Sequence, residues 1–297
     1  MNRRLVHLCR AAVRPVLALG VAVLLLSPAA PLAAQDDDPA RERWVFKGEL
    51  TSVITQGNSE AVTLGLASTI RRRYEDSAWK FEAGAVRVET GKVIRRADGT
   101  AADFSVTRSV DTEKTAESFY ARGRYERTVS DAFFLYGGVD WLRNTFSGID
   151  SRTLFAAGGG YTWVENDRTR FSTDFAATYT FETDVVENPF LDTDFAGLRV
   201  GYEFTRQVSA STDFESVLVG DLNLNETDDR RAVWGNSLTV DVNDIIALKP
   251  AVVLSWKNLP ALAEVPLFTG GVDTGTSVQT PLEKLDTLFT LALVLTF

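Results

Sequence analysis

Beyond its first 34 residues, the sequence lacks three side chains that carry much of protein chemistry. The only histidine, cysteine and methionine are His7, Cys9 and Met1. The rest of the chain therefore has no disulfide, no thiol nucleophile, no Cys/His zinc site and no haem held by His or Met. A His general base is excluded as well. We expect no enzymatic activity, no catalytic residues, no bound metal and no cofactor.

The charge balance is acidic, with 31 Lys and Arg against 40 Asp and Glu, a net charge of −9. Four of the bases and none of the acids lie in residues 1–34, so the remainder carries 27 bases and 40 acids, a balance of −13. An acidic surface repels a phosphate backbone, so nucleic acid is not an expected partner.

The first 34 residues have the pattern of a secretory signal. Four arginines precede an apolar run over 16–26, which is too short to span a membrane as a finished helix. Leu32-Ala33-Ala34 before Gln35 is the best cleavage candidate, and an uncleaved anchor is the alternative. The sequence thus predicts a cleaved signal peptide over 1–34 and a periplasmic linker over 35–43, which contains the acidic run Asp36-Asp37-Asp38-Pro39.

Alternation with a period of two dominates the remaining sequence. In 168–183 the apolar face carries Phe171, Phe175, Tyr179 and Phe181, whereas charged and small residues occupy the other face. Such a segment predicts a strand with one apolar and one polar face, longer than a typical soluble strand.

Twelve segments of this kind are predicted, and their connections alternate between short turns and longer loops. This pattern is typical of a transmembrane barrel, in which a spanning sheet must close on itself to satisfy its backbone groups. We predict an all-β, antiparallel, up-and-down transmembrane β-barrel of about twelve strands over 44–297. Long loops are expected over 91–110 and 258–281, and a bulge or shifted boundary at Pro250. The strands are placed at 44–55, 61–74, 78–90, 111–128, 132–144, 151–165, 168–183, 192–206, 211–224, 230–242, 246–257 and 282–297.

The six tryptophans all fall on the predicted outward face, near strand ends. The amphipathic indole prefers the membrane interface, so they predict two aromatic girdles. The periplasmic girdle would contain Trp44, Trp79 and Trp163, and the outer girdle Trp141, Trp234 and Trp256. Six core tryptophans of a soluble sandwich are the alternative, which gives no reason for their position near strand ends.

Charges of both signs fall on the inward face. A base on the lipid face would cost roughly 2–4 kcal/mol at mid-membrane, whereas a wet lumen accepts it. A polar channel with selective charges and a salt-bridged, plugged interior fit this pattern equally well. Arg170 and Asp174 are two such inward-facing charges of opposite sign, and changing them should alter conductance or selectivity in a pore. The predicted lumen-facing charges are Lys47, Glu49, Arg71, Arg73, Lys80, Glu82, Arg122, Arg124, Glu126, Asp140, Arg152, Arg170, Asp174, Glu182, Arg199, Glu203, Asp213, Glu215, Asp241, Lys249 and Lys257.

Two segments have part of a known motif but lack residues or structure that the motif requires. Asp221, Asn223 and Asn225 have the opening spacing of a calcium loop, but Glu226 stands where Gly is required and Ala232 where Glu is required. The run Gly158-Gly159-Gly160 is not followed by a helix and predicts bending or close side-chain packing, not a phosphate loop. The acidic loop residues Asp192, Asp194, Asp228 and Asp229 are expected to be solvated, with cations bridging lipopolysaccharide phosphates as the alternative.

The final segment alternates from Leu285 to a terminal Phe297. It resembles the C-terminal recognition signal of outer-membrane barrels, which implies insertion by the barrel-assembly machinery.

The start of the predicted barrel resembles the putative salt-induced outer-membrane protein family, a family of bacterial barrels of unknown function. The matching residues are the segment 44–50, the turn sequence 55–60 containing Gly57-Asn58-Ser59, and the alternating strand from Thr63 to Arg73. The resemblance implies a Gram-negative outer-membrane location, with membrane lipid and lipopolysaccharide as partners. It brings no established catalytic residues.

Three classes of function remain open. The first is a narrow channel or envelope-structural barrel linked to salt or osmotic adaptation, as the family name suggests. The second is an outer-membrane enzyme acting on lipid or peptide without His, for which no residue spacing gives support. The third is a soluble periplasmic β-rich protein that binds a ligand. The sequence does not indicate an oligomeric state.

Overall fold

The computed structural model describes residues 44–55, 60–100, 103–145, 147–189, 191–270 and 272–296. Every regular element in these ranges is a β-strand. No helix in the described ranges is long and apolar enough to cross a membrane. The strands are β1 Trp44–Thr55, β2 Glu60–Arg73, β3 Ser77–Thr100, β4 Asp103–Thr128, β5 Phe133–Asn144, β6 Ile149–Asn166, β7 Thr169–Asp184, β8 Asp194–Ser209, β9 Thr212–Asn223, β10 Arg230–Asp241, β11 Ile246–Lys257, β12 Leu262–Thr269, β13 Val272–Pro281 and β14 Leu285–Thr296.

Twelve of these strands form a closed antiparallel barrel in the order β1 to β11 followed by β14, which pairs with β1. The remaining strands, β12 and β13, form a separate hairpin. The predicted all-β, twelve-stranded up-and-down barrel is therefore confirmed. We call the end of the barrel that carries the short turns after β2, β4, β6, β8 and β10 the turn end, and the opposite end the loop end.

Strand β7 shows why this sequence forms a barrel wall. Its residues alternate between exposed and buried, with Phe175 53% and Phe181 50% exposed while Ala176 is 0% and Thr180 1% exposed. Successive side chains of a strand point to opposite faces, so the large apolar residues cover the outside and the small or polar ones turn inward. A soluble protein buries its large apolar side chains, whereas this strand exposes them, as expected for a barrel with an apolar surrounding.

Glycines allow neighbouring side chains to pack closely on the inner face of β6. A Cβ at Gly158 would overlap the carbonyl oxygen of Phe175 on β7, and a Cβ at Gly160 would overlap the ring of Phe134 on β5. Phe134 is consequently buried together with Tyr136, Leu154, Ala156 and Ala176. The close packing predicted for this glycine run is confirmed.

Two predicted loops contain regular structure. Strands β3 and β4 continue to pair, after an irregularity at Val88, as far as Thr100 and Asp103, so the predicted loop over 91–110 is wrong. The predicted connector over 258–281 holds the β12–β13 hairpin, which includes Pro266 and Pro281. In both places antiparallel pairing satisfies backbone groups outside the barrel wall. A hairpin there does not need one apolar and one polar face, so its sequence does not alternate and does not reveal the strands.

The prediction of a bulge or boundary at Pro250 is also wrong. Pro250 lies within β11 and is matched with Leu291 of β14. On its other side, pairing with β10 continues in one register from Ser237–Ala251 to Val240–Leu248. The missing proline donor is therefore accommodated by a local interruption of one ladder, with no added residue.

Candidate functional site

Ion pairs between distant strands define the inner face of the barrel. An Arg124 guanidinium nitrogen on β4 lies 3.3 Å from Asp174 Oδ2 on β7, and Arg199 Nη1 on β8 lies 2.6 Å from Asp140 Oδ2 on β5. Side chains on the outer surface of a barrel diverge, so contacts between strands that are not neighbours require the lumen. Antiparallel partners share a face, and the registers place all the predicted lumen-facing charges on the same face as these four residues.

Arg124 and Arg199 each form ion pairs with two carboxylates. Arg124 Nε donates to Glu126 Oε1 at 2.7 Å, and its guanidinium also lies 3.7 Å from the ring centroid of Tyr136. Arg199 Nε donates to Asp221 Oδ1 at 2.7 Å. Several acceptors of this kind stabilise a guanidinium that is mostly removed from water, and they fix side chains across the middle of the barrel.

A second cluster lies nearer the loop end. Arg231 on β10 bonds to Glu182 on β7 and, at 2.6 Å, to Asp229 Oδ2 of the β9–β10 connection. Lys257 Nζ on β11 donates to Glu182 Oε1 at 3.0 Å. Glu182 is 8% and Asp229 1% exposed. The connection is held further by Asn223, whose Oδ1 accepts the backbone N–H of Asn225 at 2.8 Å and of Glu226 at 3.2 Å. We call Glu182, Arg231, Lys257 and Asp229 the loop-end cluster.

Two further ion pairs lie on the inner face of the strands from β11 through β14 and β1 to β3. Lys249 Nζ on β11 donates to Glu49 Oε1 on β1 at 2.7 Å. On β3, Lys80 Nζ lies 3.0 Å from Glu82 Oε1. Both pairs are partly exposed, so they line the lumen and leave space beside them.

Other inner-face charges form no ion pair among the described residues. Basic examples occur on β1, β2 and β4, and acidic examples on β9 and β10. Towards the turn end and the middle of the barrel, the bases are Lys47, Arg71, Arg73 and Arg122, and the acids are Asp213, Glu215 and Asp241. An unpaired charge in an apolar interior is very unfavourable, so their presence indicates water inside this part of the barrel. Nearer the loop end, Arg152 on β6, Asp184 on β7 and Asp286 on β14 also form no ion pair among the described residues.

A cavity of about 200 Å³ opens at the turn end. Its lining includes Arg71 and Arg73 of β2, Glu126 of β4 and Arg170 of β7. At the loop end the corresponding space beside Arg231 and Asp229 is only about 10 Å³. The cavity at the turn end is thus larger than the pocket beside the loop-end cluster.

Arg170 and Asp174 lie on the same inward face of β7 but do not bond to each other. Asp174 bonds instead to Arg124 and accepts a hydrogen bond from the Tyr136 hydroxyl at 3.1 Å. Arg170 lies 3.6 Å from Glu165 and 3.7 Å from Glu203. Residues four apart on an extended strand are about 13 Å apart, so partners on other strands are closer.

The expectation that the acidic loop residues are all solvated is wrong for Asp229, which is buried in the loop-end cluster. Asp221 is a further lumen residue that was not predicted, although it shares the parity of Asp213 and Glu215. Among the described residues, no group of three His, Cys, Asp or Glu side chains is arranged to hold a metal ion.

The tryptophans lie on the outer face near both ends of the barrel. Trp44, Trp79 and Trp163 are at the turn end, and Trp141, Trp234 and Trp256 are at the loop end, with exposures from 36% to 61%. Three of the indole N–H groups have partners on the same face: Trp163 donates to Thr173 at 2.9 Å, Trp141 to Ser151 at 3.2 Å and Trp234 to the Tyr202 hydroxyl at 3.0 Å. The predicted leader, the linker and Phe297 lie outside the described residues.

A family model described as "Protein of unknown function, DUF481" matches residues 48–297. The chain belongs to this family. It is also 22% identical over 226 residues to the uncharacterized protein YdiY of Escherichia coli K12, covering 75% of this chain and 79% of that protein. The predicted membership of a family of uncharacterized bacterial barrels is confirmed. The family description names no salt response.

Solved structures resemble the chain more distantly. A NanC porin has a TM-score of 0.42 at 10% identity, covering 85% of this chain and 99% of that one. An outer membrane channel from Pseudomonas putida F1 has a TM-score of 0.39 at 10% identity, covering 89% of this chain and 100% of that one.

Proposed function

We propose that the protein is a bacterial outer-membrane barrel whose lumen forms a narrow solute channel. The observation that carries this proposal is the set of unpaired inner-face charges, among them the exposed Lys47 and Arg122. Such charges require water in the lumen, and a water-filled lumen along one wall provides a path for small polar solutes.

The outer face supports a membrane location. Each barrel strand pairs with a neighbour on both sides, so most of the backbone presents no unsatisfied groups to lipid, and the shortest ladder is the β1–β14 seam from Lys47 to Leu50. Large apolar side chains such as Leu66, Phe175 and Phe289 are 53–79% exposed, and tryptophans lie towards both ends. An outward apolar band between aromatic girdles suits an outer membrane, with the turn end towards the periplasm.

The channel is narrow because the loop-end cluster fills the lumen beside β7 to β11. Its side chains join three strands and one connection, and the pocket beside them, of about 10 Å³, has room for no more than about one water. The open path therefore follows the opposite wall, from β14 through β1 to β4. There the inward-facing Leu288 is 40% exposed.

An envelope-structural barrel with a closed lumen is the second candidate, favoured by the same buried cluster. Conductance of the purified mature protein in a planar bilayer separates the two. Discrete steps that increase with salt concentration are the expected result. A protein that migrates as a compact band before boiling, yet shows no steps, contradicts the channel and supports the structural barrel.

The remaining expectations are part of the proposal. We infer that the barrel contacts membrane lipid and lipopolysaccharide, is inserted by the barrel-assembly machinery through its C-terminal strand, and is not an enzyme. Recovery in the soluble periplasm, without a mobility shift on boiling in SDS, would contradict the membrane location. Growth of a deletion strain at high salt and at matched sucrose concentration tests the salt or osmotic role.

A further inference from the structure

In the turn-end half and the middle of the lumen, the charges that form no ion pair among the described residues are segregated by sign. Lys47 on β1, Arg71 and Arg73 on β2, and Arg122 on β4 are all basic. The acids without ion-pair partners in the described part of the inner wall between β8 and β11 are Asp213, Glu215 and Asp241. We call these sets the basic wall and the acidic wall.

The two walls face each other across the lumen. Going round the barrel, β5 to β8 separate them on one side, and β11 and β14 separate them on the other. They also lie at similar heights. Arg73 is the last residue of β2, Asp213 the second of β9 and Asp241 the last of β10, all at the turn end.

Charges of both signs border the turn-end part of the lumen. The Glu203 carboxylate of β8 lies 3.7 Å from Arg170, which lines the same cavity as Arg71 of the basic wall. The cavity of about 200 Å³ lies in the same part of the lumen and is lined by Arg71, Arg73 and Arg170 together with Glu126 and Glu165. A solute in this part of the lumen therefore meets fixed charges of both signs.

Fixed charges of opposite sign create an electric field across the path of transport. A cation is attracted by one wall and repelled by the other, and the same holds for an anion. A small zwitterion can orient its carboxylate to the basic wall and its ammonium to the acidic wall at the same time. In a narrow lumen with low-dielectric walls these interactions are stronger than in bulk water.

We propose that the turn-end half of the lumen selects small zwitterionic solutes of the amino-acid type. This inference rests on the proposed channel and specifies its substrate class. The arrangement differs from a ring of one charge sign, which would select ions of the opposite sign.

Liposome swelling with two isomeric solutes tests the proposal. β-Alanine is a zwitterion, and lactamide has the same composition but no charge. With the full-length mature protein, we expect β-alanine to enter about twofold faster or more than lactamide, because only β-alanine engages both walls. The informative variant neutralises the acidic wall with three near-isosteric changes, Asp213→Asn, Glu215→Gln and Asp241→Asn. It should reduce the ratio of the two rates to about one.

The matched control removes three negative charges from exposed turns at the same end. Asp76→Asn, Asp167→Asn and Asp244→Asn change the net charge equally and should leave the ratio unchanged. If the acidic-wall variant does not fold, the basic-wall variant Lys47→Gln, Arg71→Gln and Arg73→Gln gives the same readout. The shift in gel mobility on boiling verifies folding in each case.

The outcomes separate this inference from the function on which it rests. Equal rates for the two solutes in the unmodified protein overturn the zwitterion preference and leave the channel intact. A preference that persists after neutralisation of either wall overturns the role of the walls. A folded barrel that admits neither solute contradicts the channel itself, and the inference fails with it.

Discussion

Lys249 and Glu49 form an ion pair that passes over the closing seam of the barrel. The 2.7 Å contact joins β11 to β1, and β14 lies between them. Strand β14 pairs with β11 from Ile246 to Trp256, but with β1 only from Lys47 to Leu50. A side-chain contact therefore supplements the shortest backbone ladder of the barrel.

Breaking this contact should weaken the seam. Glu49→Gln or Lys249→Met should each lower the free energy of unfolding by on the order of 1 kcal/mol, because both side chains remain partly hydrated. Urea titration followed by gel mobility measures the change. The double variant should lose less than the sum of the single losses, whereas strictly additive losses would show that the pair contributes no coupling energy.

Asp229 should contribute more to stability than its neighbour in the same connection. Asp229→Asn leaves Arg231 with one fewer acidic partner in a buried cluster and should cost about 3 kcal/mol. Asp228→Asn, at an exposed pair with Arg230, should change stability by less than about 0.5 kcal/mol. Asp229→Asn should also raise the single-channel conductance if the cluster constricts the lumen. Equal behaviour of the two variants would contradict the anchoring of this connection.

Gly158 should tolerate no side chain. Gly158→Ala places a Cβ against the backbone of β7, and we expect a loss of about 3 kcal/mol or failure to form the compact band. Gly235→Ala is the matched control, since it also lies on the inner face within a strand and its nearest atom would be 3.9 Å away. The two variants are compared by urea titration. Full stability of Gly158→Ala would show that β6 and β7 are farther apart than described.

The tryptophan positions predict depth-dependent quenching in lipid vesicles. All six indoles lie on the outer face towards the strand ends, so lipids brominated near the headgroup should quench fluorescence more than lipids brominated near the bilayer centre. Reconstituted protein and steady-state emission are sufficient for the measurement. Equal quenching at both depths, or none, would argue against two interfacial girdles.

Much of the barrel could be predicted from alternation alone. In β7 the large residues Phe175 and Phe181 alternate with Ala176 and Thr180, and this local pattern fixes which face meets lipid. The strand count followed because each barrel strand carries a similar pattern. The extension of β3 and β4 to Thr100 and Asp103 was missed, since strands outside the membrane need no apolar face.

The partners of the inner-face charges could not be predicted in the same way. Parity places Asp174 inside, but its bond to Arg124 depends on the stagger between β4 and β7, which no local pattern encodes. Asp229 was missed because a loop residue has no parity until the connection is folded. Sequence therefore predicts the direction of a side chain, whereas closure of the barrel selects its partner.

Pro250 has a consequence for the chain before it folds. The segment from Ile246 to Leu254 is rich in β-branched and aliphatic residues, a composition that favours stacking with copies of itself. A proline at its centre removes one backbone donor and interrupts any continuous ladder between such copies. In the folded barrel the missing hydrogen bond affects only one side of β11. In a stack of identical strands the same hydrogen bond would be missing between every two neighbouring copies.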